Sequence, residues 1–316
     1  MQKVKWIRVS RRNLCPVCGK PDWCLISQDG NAVICARTQN NYPVGNSGAG
    51  WLHRLNSGSV HVFTTEQQPQ ISPLAKHEVL NTVYQSLLNK LSLSAAHRLQ
   101  LNQRGLNDDQ IYYLNYKTFP GNSRQEIIAN LVNEGMNLSG VPGFYYQNGR
   151  WQLAGRAGIA IPIKDIKKRI IGIQIRCDNT VNGKYKWLSS RGFNQGCSPG
   201  TPVHLAGRIT FRDEIWITEG PIKADIASLK LGRTILAVPG VSNWRGVIPI
   251  IKSLQPQKVI VAYDMDKITN HIVRFHCDEL ISYLIKQRIR TFEADWNPAF
   301  KGIDDLLTFG GQTCQR

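Results

Sequence analysis

Two groups of residues in this chain have the types and spacing that chemistry needs. The first is acidic. Glu219 follows the short apolar run Glu214-Ile-Trp-Ile-Thr218, and Asp264 and Asp266 follow a second, Lys258-Val-Ile-Val-Ala-Tyr263. Three carboxylates brought to one place repel each other unless a cation holds them, and hard oxygen donors of this kind suit Mg2+ or Mn2+. An Asp-x-Asp after a strand also serves as an ordinary loop or helix cap. Gly220 favours the site reading, because it lets the backbone turn sharply beside Glu219. The second group is thiol. Cys15-Pro-Val-Cys18-Gly19 is a knuckle whose two sulfurs can share one tetrahedral Zn2+. A hairpin pattern follows, Trp23–Ser27 and Ala32–Cys35 around Asp29-Gly30, and centring the turn there sets Cys24 opposite Cys35. Cys15, Cys18 and Cys35 are the predicted ligands, and Cys24 and His53 compete for the fourth place. The plain alternative for Cys24 is a buried free thiol packed as a small hydrophobe.

The elements that must position the acids can be read from periodicity. Apolar runs at 214–218, 234–238, 258–263 and 290–294 alternate with helical patterns at 222–231, 244–254 and 270–288. That alternation predicts a parallel sheet with crossover helices, in which ligands gather outside the carboxyl ends of the strands. Upstream, apolar residues at Val79, Val83, Leu87 and Leu91 predict a helix, Ser94 caps a second that Gly105 ends, and Asn107-Asp108 starts a third. Ala157–Asn179 predicts two antiparallel strands joined at Lys167-Lys168, with Gly183–Ser190 as a third. Asn56–Pro73, rich in Ser, Thr, Gln and Pro, predicts a linker.

Charge narrows the class of partner. With 39 Lys plus Arg against 22 Asp plus Glu, the formal charge is +17, which favours a polyanion. No apolar run approaches the roughly 18–20 residues of a membrane span, so no membrane is expected and nucleic acid is the better partner. Residues 1–76 hold nine Lys or Arg against three acids, interleaved with Trp6, Trp23 and Trp51, a composition suited to stacking a single strand, although a small ribbon also needs tryptophan for its core. Residues 164–191 hold eight cations against Asp165 and Asp178. Among these, Lys167, Lys168 and Arg169 read as an ordinary solvated face, whereas Arg176 and Lys184 read as phosphate-binding. Four cysteines in the first 35 residues, without a secretory signal, predict metal ligation in a reducing cytoplasm.

The segments Ile215–Asp225 (IWITEGPIKAD) and Val259–Asp266 (VIVAYDMD) resemble the Toprim domain shared by DnaG-type primases, topoisomerases and some nucleases. The variant with Glu-Gly-Pro-Ile-Lys-Ala is similar to the Toprim proteins of phages, plasmids and other mobile elements, of DUF3854-like type. The resemblance implies that Glu219, Asp264 and Asp266 bind the catalytic divalent metal. It departs from the DnaG pattern at Lys223, which stands where an acid is expected and is placed to meet a phosphate; Asp225 is left without a role. The Lys-Gly-Ile-Asp-Asp motif at 301–305 resembles another element of this type. It implies that Asp304 and Asp305 add an outer acidic pair reaching a second metal, unless Asp304 only starts a short helix. Arg104-Gly105-Leu106 and the strands bearing Arg176 and Lys184 are similar to the amino-terminal catalytic subdomain of DnaG-type primases, and Cys35 matches a zinc-ribbon ligand of that class.

Taken along the chain, the resemblance implies an α/β protein: a zinc ribbon (1–57), a linker (58–77), a mixed α+β basic subdomain (78–212) and a Toprim domain with a Rossmann-like parallel sheet (213–316). It implies a DNA primase, making short RNA primers on a single-stranded DNA template from nucleoside triphosphates, with Zn2+ and Mg2+ or Mn2+ as cofactors. The sequence lacks a G-x-x-x-x-G-K-[ST] loop, so unwinding would fall to a separate helicase. A Toprim nuclease needs the same carboxylates with water as nucleophile, and a non-catalytic zinc-ribbon DNA-binding replication factor is the third reading.

Overall fold

The computed structural model describes residues 6–44, 50–55, 71–181, 183–209, 214–310 and 314–315. Most of the expected linker, and the Gly-rich approach to His53, lie outside the described residues. The chain divides into two compact units, Met1–Gln67 and Gln68–Arg316.

The first unit is a five-stranded antiparallel sheet in the order Trp6–Arg8, Leu25–Ser27, Ala32–Cys35, Gly50–Arg54, Pro43–Val44. Gly30 takes a positive φ of 73° in the tight turn that Asp29-Gly30 predicts, and Leu25 pairs with Ile34. The next position outward therefore sets Cys24 against Cys35. Its buried apolar side chains are Val9, Ile26 and Val33 with Cys15, Cys24 and Cys35. So small a core needs a covalent or metal staple to hold.

The described residues of the second unit form two main sheets with a helix between them, and a two-stranded hairpin, Phe144–Gln147 with Arg150–Leu153. The smaller sheet is antiparallel, ordered Tyr185–Trp187, Ile170–Cys177, Gly158–Lys164, Lys117–Phe119. Its central strands bury nearly every side chain, because helix His77–Asn89 covers the sheet and helix Pro221–Leu231 delivers Ile222 and Ile226 to the same core. The helices start where capping chemistry allows. Ser94 accepts from His97 N–H at 3.3 Å ahead of Ala95–Asn102, and Asn107 forms a capping box with Gln110 ahead of Asp108–Leu114.

The larger sheet runs His204–Ala206, Thr234–Val238, Glu214–Glu219, Lys258–Val261, Arg290–Asp295, Cys314–Gln315. Its four inner strands are parallel and both edges antiparallel. One face packs on Val241–Leu254 and helix His271–Lys286, the latter capped by Asn270; the other packs on Ala224 and Ala227, with Trp216, Trp296, Ile303 and Leu306. Helix Pro221–Leu231 thus has isoleucines toward one sheet and alanines toward the other, so it is buried for most of its length. The segment expected as one helix over 244–254 is instead a 3-10 turn, Val241–Val247, followed by helix Ile248–Leu254. Pro249 explains the break, since it has no N–H to donate and fits only the first turn of a helix.

Candidate metal centres and active site

The strand register brings the acids together. Glu214–Glu219 and Lys258–Val261 are neighbours, with Ile217 opposite Val261, and Ala262 N–H donates to Ile217 O at 2.8 Å. Their carboxyl ends therefore reach the same edge. Gly220, at a positive φ of 79°, turns the chain from Glu219 straight into helix Pro221–Leu231. One oxygen each from Glu219, Asp264 and Asp266 lie within 4.8 Å of one another. Asp264 N–H donates to Glu219 Oε1 at 3.0 Å. Burial pushes the Asp264 carboxyl up to about 7 against the opposing pull of Lys223, with Glu219 and Asp266 adding to the rise. Lys223 donates to Asp264 Oδ1, and Lys301 donates to Asp266 Oδ2 at 2.9 Å. Asp266 Oδ1 is buried without a hydrogen-bond partner among the described residues. A buried acceptor left over in a cluster of hard oxygens is what a divalent ion would satisfy, so the donor set fits Mg2+ or Mn2+.

The second acidic motif divides in two. Asp305 Oδ2 accepts from Gly302 N–H at 3.2 Å and so caps a short helical turn. Asp304 is buried, its Oδ2 paired with Arg104 and its Oδ1 without a hydrogen-bond partner among the described residues. Gly302 is the reason these groups fit: a Cβ there would lie 2.5 Å from Asp304 Oδ1 and 3.3 Å from both Asp264 Oδ1 and Lys223 Cε. Asp304 therefore stands beside the acidic cluster, and Asp305 works as a cap.

Cations surround this edge. Partial burial, then the charges of Arg176, Arg104, Lys223 and Lys301, hold the Lys184 ammonium below the ordinary lysine range, which places all five in one neighbourhood. Lys184 is exposed. Arg176 lies in the adjacent strand opposite Tyr185, donating from Nη1 to Gln100 Oε1 at 2.6 Å while its buried Nε has no partner among the described residues. Of the hairpin cations, Lys168 donates to the Gly207 carbonyl, and Arg169 is bound by Asp165 (2.6 Å) and Glu78. Arg169 is thus tied into the fold, and Lys168, although exposed, is anchored by its ammonium.

Asp225 points away from the acidic edge. It accepts from Tyr116 Oη at 2.6 Å and pairs with His204 Nε2 at 3.1 Å, all three buried. It ties helix Pro221–Leu231 to both flanking elements. Arg104, Lys301 and Gly302 are the functional candidates that residue type alone did not raise; the signal lay in the Arg-Gly-Leu and Lys-Gly-x-Asp-Asp segments that carry them.

In the first unit the sulfurs of Cys15, Cys18, Cys24 and Cys35 lie within 4.8 Å of one another. Cys18 Sγ is 3.7 Å from Cys24 Sγ, which is 3.8 Å from Cys35 Sγ. Zn–S bonds of about 2.3 Å in a tetrahedron require sulfur–sulfur separations of about 3.8 Å, so the four thiols fit zinc. His53 is not part of the set: its Nε2 lies 3.0 Å from Thr38 O. Burial pushes the Cys24 thiol up to about 12. Burial also opposes ionisation of Cys35, but the N–H groups of Arg37 and Thr38 outweigh it and bring that thiol to about 6. Trp23 is 81% exposed with a positive φ of 65°, a presented ring rather than a core residue.

The family model for a domain of unknown function, DUF3854, matches residues 211–314. No curated protein matches the chain. Among solved structures, the Aquifex aeolicus primase, comprising zinc-binding and RNA polymerase domains, superposes with a TM-score of 0.58 at 16% identity, covering 75% of this chain and 59% of that one. The chain thus spans less than two thirds of that primase. A DnaG primase catalytic domain bound to single-stranded DNA gives 0.53 at 16% identity over 73% of this chain and 74% of that one. The RNA polymerase domain of Mycobacterium tuberculosis primase DnaG, in complex with double-stranded DNA, gives 0.58 at 13% identity over 74% and 78%. The chain shares the fold of DnaG primase catalytic cores. Among the described residues no helix is long and apolar enough to cross a membrane.

Proposed function

We propose that this protein is a primase-like nucleotidyltransferase that makes short RNA primers on single-stranded DNA. The observation that carries the reading is the meeting of Glu219, Asp264 and Asp266 at the tips of adjacent parallel strands, beside the cations Arg176, Lys184 and Lys301. Its likeness to DnaG primase cores supports polymerisation over the other chemistries that such a cluster serves.

In this reading Glu219, Asp264 and Asp266 hold the divalent ion, with Asp304 beside them, in a Toprim-type site. An ion bound there supplies Lewis-acid activation of the primer 3′-hydroxyl and charge neutralisation at the triphosphate. Lys184, exposed on the rim, binds incoming phosphate, and Arg176 holds the template or nucleotide backbone through its guanidinium. Asp264 N–H orients Glu219, and Lys301 orients Asp266, so the carboxylates are fixed before substrate arrives. The four cysteines hold Zn2+, and the ribbon presents Trp23 to an unpaired template base. The protein works in the cytoplasm of a cell hosting a mobile element, with a separate helicase unwinding the duplex.

Incubation of zinc-loaded protein with single-stranded DNA templates, labelled NTPs and Mg2+ or Mn2+ tests this. Short template-dependent RNA products are expected. Shortening of the template without RNA synthesis would assign the site to a nuclease instead, and DNA binding without either reaction would leave a non-catalytic zinc-ribbon factor.

A further inference from the structure

The acidic cluster carries its own internal cation. Lys223 comes from the first turn of helix Pro221–Leu231, directly behind Glu219-Gly220, and its ammonium donates to Asp264 Oδ1. Its side chain is only 21% exposed, so it is packed in place rather than extended into solvent. Over Gly302 the side chains of Lys223, Asp264 and Asp304 converge, at 3.3, 3.3 and 2.5 Å from where a Cβ would stand. Building on the proposal that Glu219, Asp264 and Asp266 bind a divalent ion, we infer that the site takes a single such ion, with the Lys223 ammonium on Asp264 supplying the positive charge that a second would bring.

The pairing of charges supports this count. Lys223 answers Asp264, Lys301 answers Asp266 and Arg104 answers Asp304. Glu219 is the member of the set without a cationic partner of its own among the ion pairs described. One divalent ion more than balances it and leaves the site positive toward a polyphosphate. A second would sit against the ammonium paired with Asp264 and the guanidinium paired with Asp304. What remains open to an ion is the side toward Asp266, whose buried Oδ1 has no hydrogen-bond partner among the described residues. Lys223 is thus a positioning residue: it fixes Asp264 and sets the number of ions.

The test counts Mn2+ by electron paramagnetic resonance in zinc-loaded wild type, Lys223→Gln and Lys223→Arg, with thermal melting to check that each is folded. Wild type and Lys223→Arg should each bind one Mn2+. Lys223→Gln should bind two and show the spin exchange of neighbouring ions; with a unit charge removed a few ångströms away, the second ion should bind at least about tenfold tighter than in wild type. Two ions in wild type, or one in Lys223→Gln, would overturn the inference while leaving the ion-binding reading intact. No bound Mn2+ in either protein would overturn both.

Discussion

Asp225 separates scaffold from site, and its replacement gives a graded prediction. The residue is 4% exposed and its carboxylate holds two donors, Tyr116 Oη at 2.6 Å and His204 Nε2 at 3.1 Å. Asp225→Ala strands both, and deleting one partner of a buried pair costs roughly 3–5 kcal/mol. Asp225→Asn keeps the shape and one acceptor oxygen, so it forfeits about one charge-assisted hydrogen bond, roughly 1.5–3 kcal/mol. At roughly 2–4 °C per kcal/mol for a unit of this size, the Ala variant should melt on the order of 10 °C below wild type and the Asn variant about half as far. The dependence on pH has a definite sign. Burial opposes ionisation, but His204 and the hydrogen bonds from His204 and Tyr116 outweigh it and hold the Asp225 carboxyl below its ordinary value. A carboxyl depressed by folding contributes stability above that ordinary value, about 3.9, and loses it as pH falls through the folded value. The gap between wild type and Asp225→Asn should be full at neutral pH and should close only below about pH 4. Calorimetric melting across pH reads the stability, and Mn2+ binding at neutral pH reads the site. An Asn variant that melts with wild type, or one that stays folded and loses Mn2+, would refute the assignment of Asp225 to the scaffold.

Other outcomes follow from the same geometry. Cys24→Ser should reduce bound zinc, measured by mass spectrometry of the metal content, from one per chain to a small fraction, whereas His53→Ala should keep it. Gly302→Ala should weaken Mn2+ binding at least about tenfold and cost about 1–3 kcal/mol of stability, because the added methyl would press on buried Asp304 and on Asp264, although the backbone there, at φ −108°, accepts any residue. Lys184→Ala should weaken single-stranded DNA or nucleotide binding roughly tenfold and lower the salt slope by about one where a phosphate contact is lost, with melting unchanged.

The parts legible in the sequence are those set by local pattern. Strands buried on both faces read as continuous apolar runs, so Glu214–Glu219 and Lys258–Val261, with the acids beyond them, could be placed before any fold was known. The turn at Asp29-Gly30 fixed the register that faces Cys24 with Cys35, and Asn107 and Ser94 marked helix starts through their own side chains. What stayed hidden depends on distant segments meeting. Arg104 and Asp304 are 200 residues apart, and neither alone points to the other. Lys223 read as a phosphate ligand, yet the ammonium turns inward because the neighbouring strand brings Asp264 within its reach. The choice between Cys24 and His53 rested on a cross-strand pairing that sets His53 against Val33 and its ring nitrogen near Thr38 O. The hairpin Phe144–Gln147 with Arg150–Leu153 lies outside the elements that periodicity predicts, although Asn148-Gly149, both at positive φ, is a strong local turn signal.

The measurement that bears most directly on the proposed activity is primer synthesis by wild type and Asp264→Asn side by side, both zinc-loaded, on single-stranded templates with NTPs and Mn2+. Removing one of the three clustered carboxylates should lower RNA synthesis by at least about 100-fold while melting and DNA binding hold. Template-directed RNA from wild type, absent from Asp264→Asn, is the predicted result. Equal synthesis by the two proteins, or none by a folded, metal-loaded wild type, would contradict it.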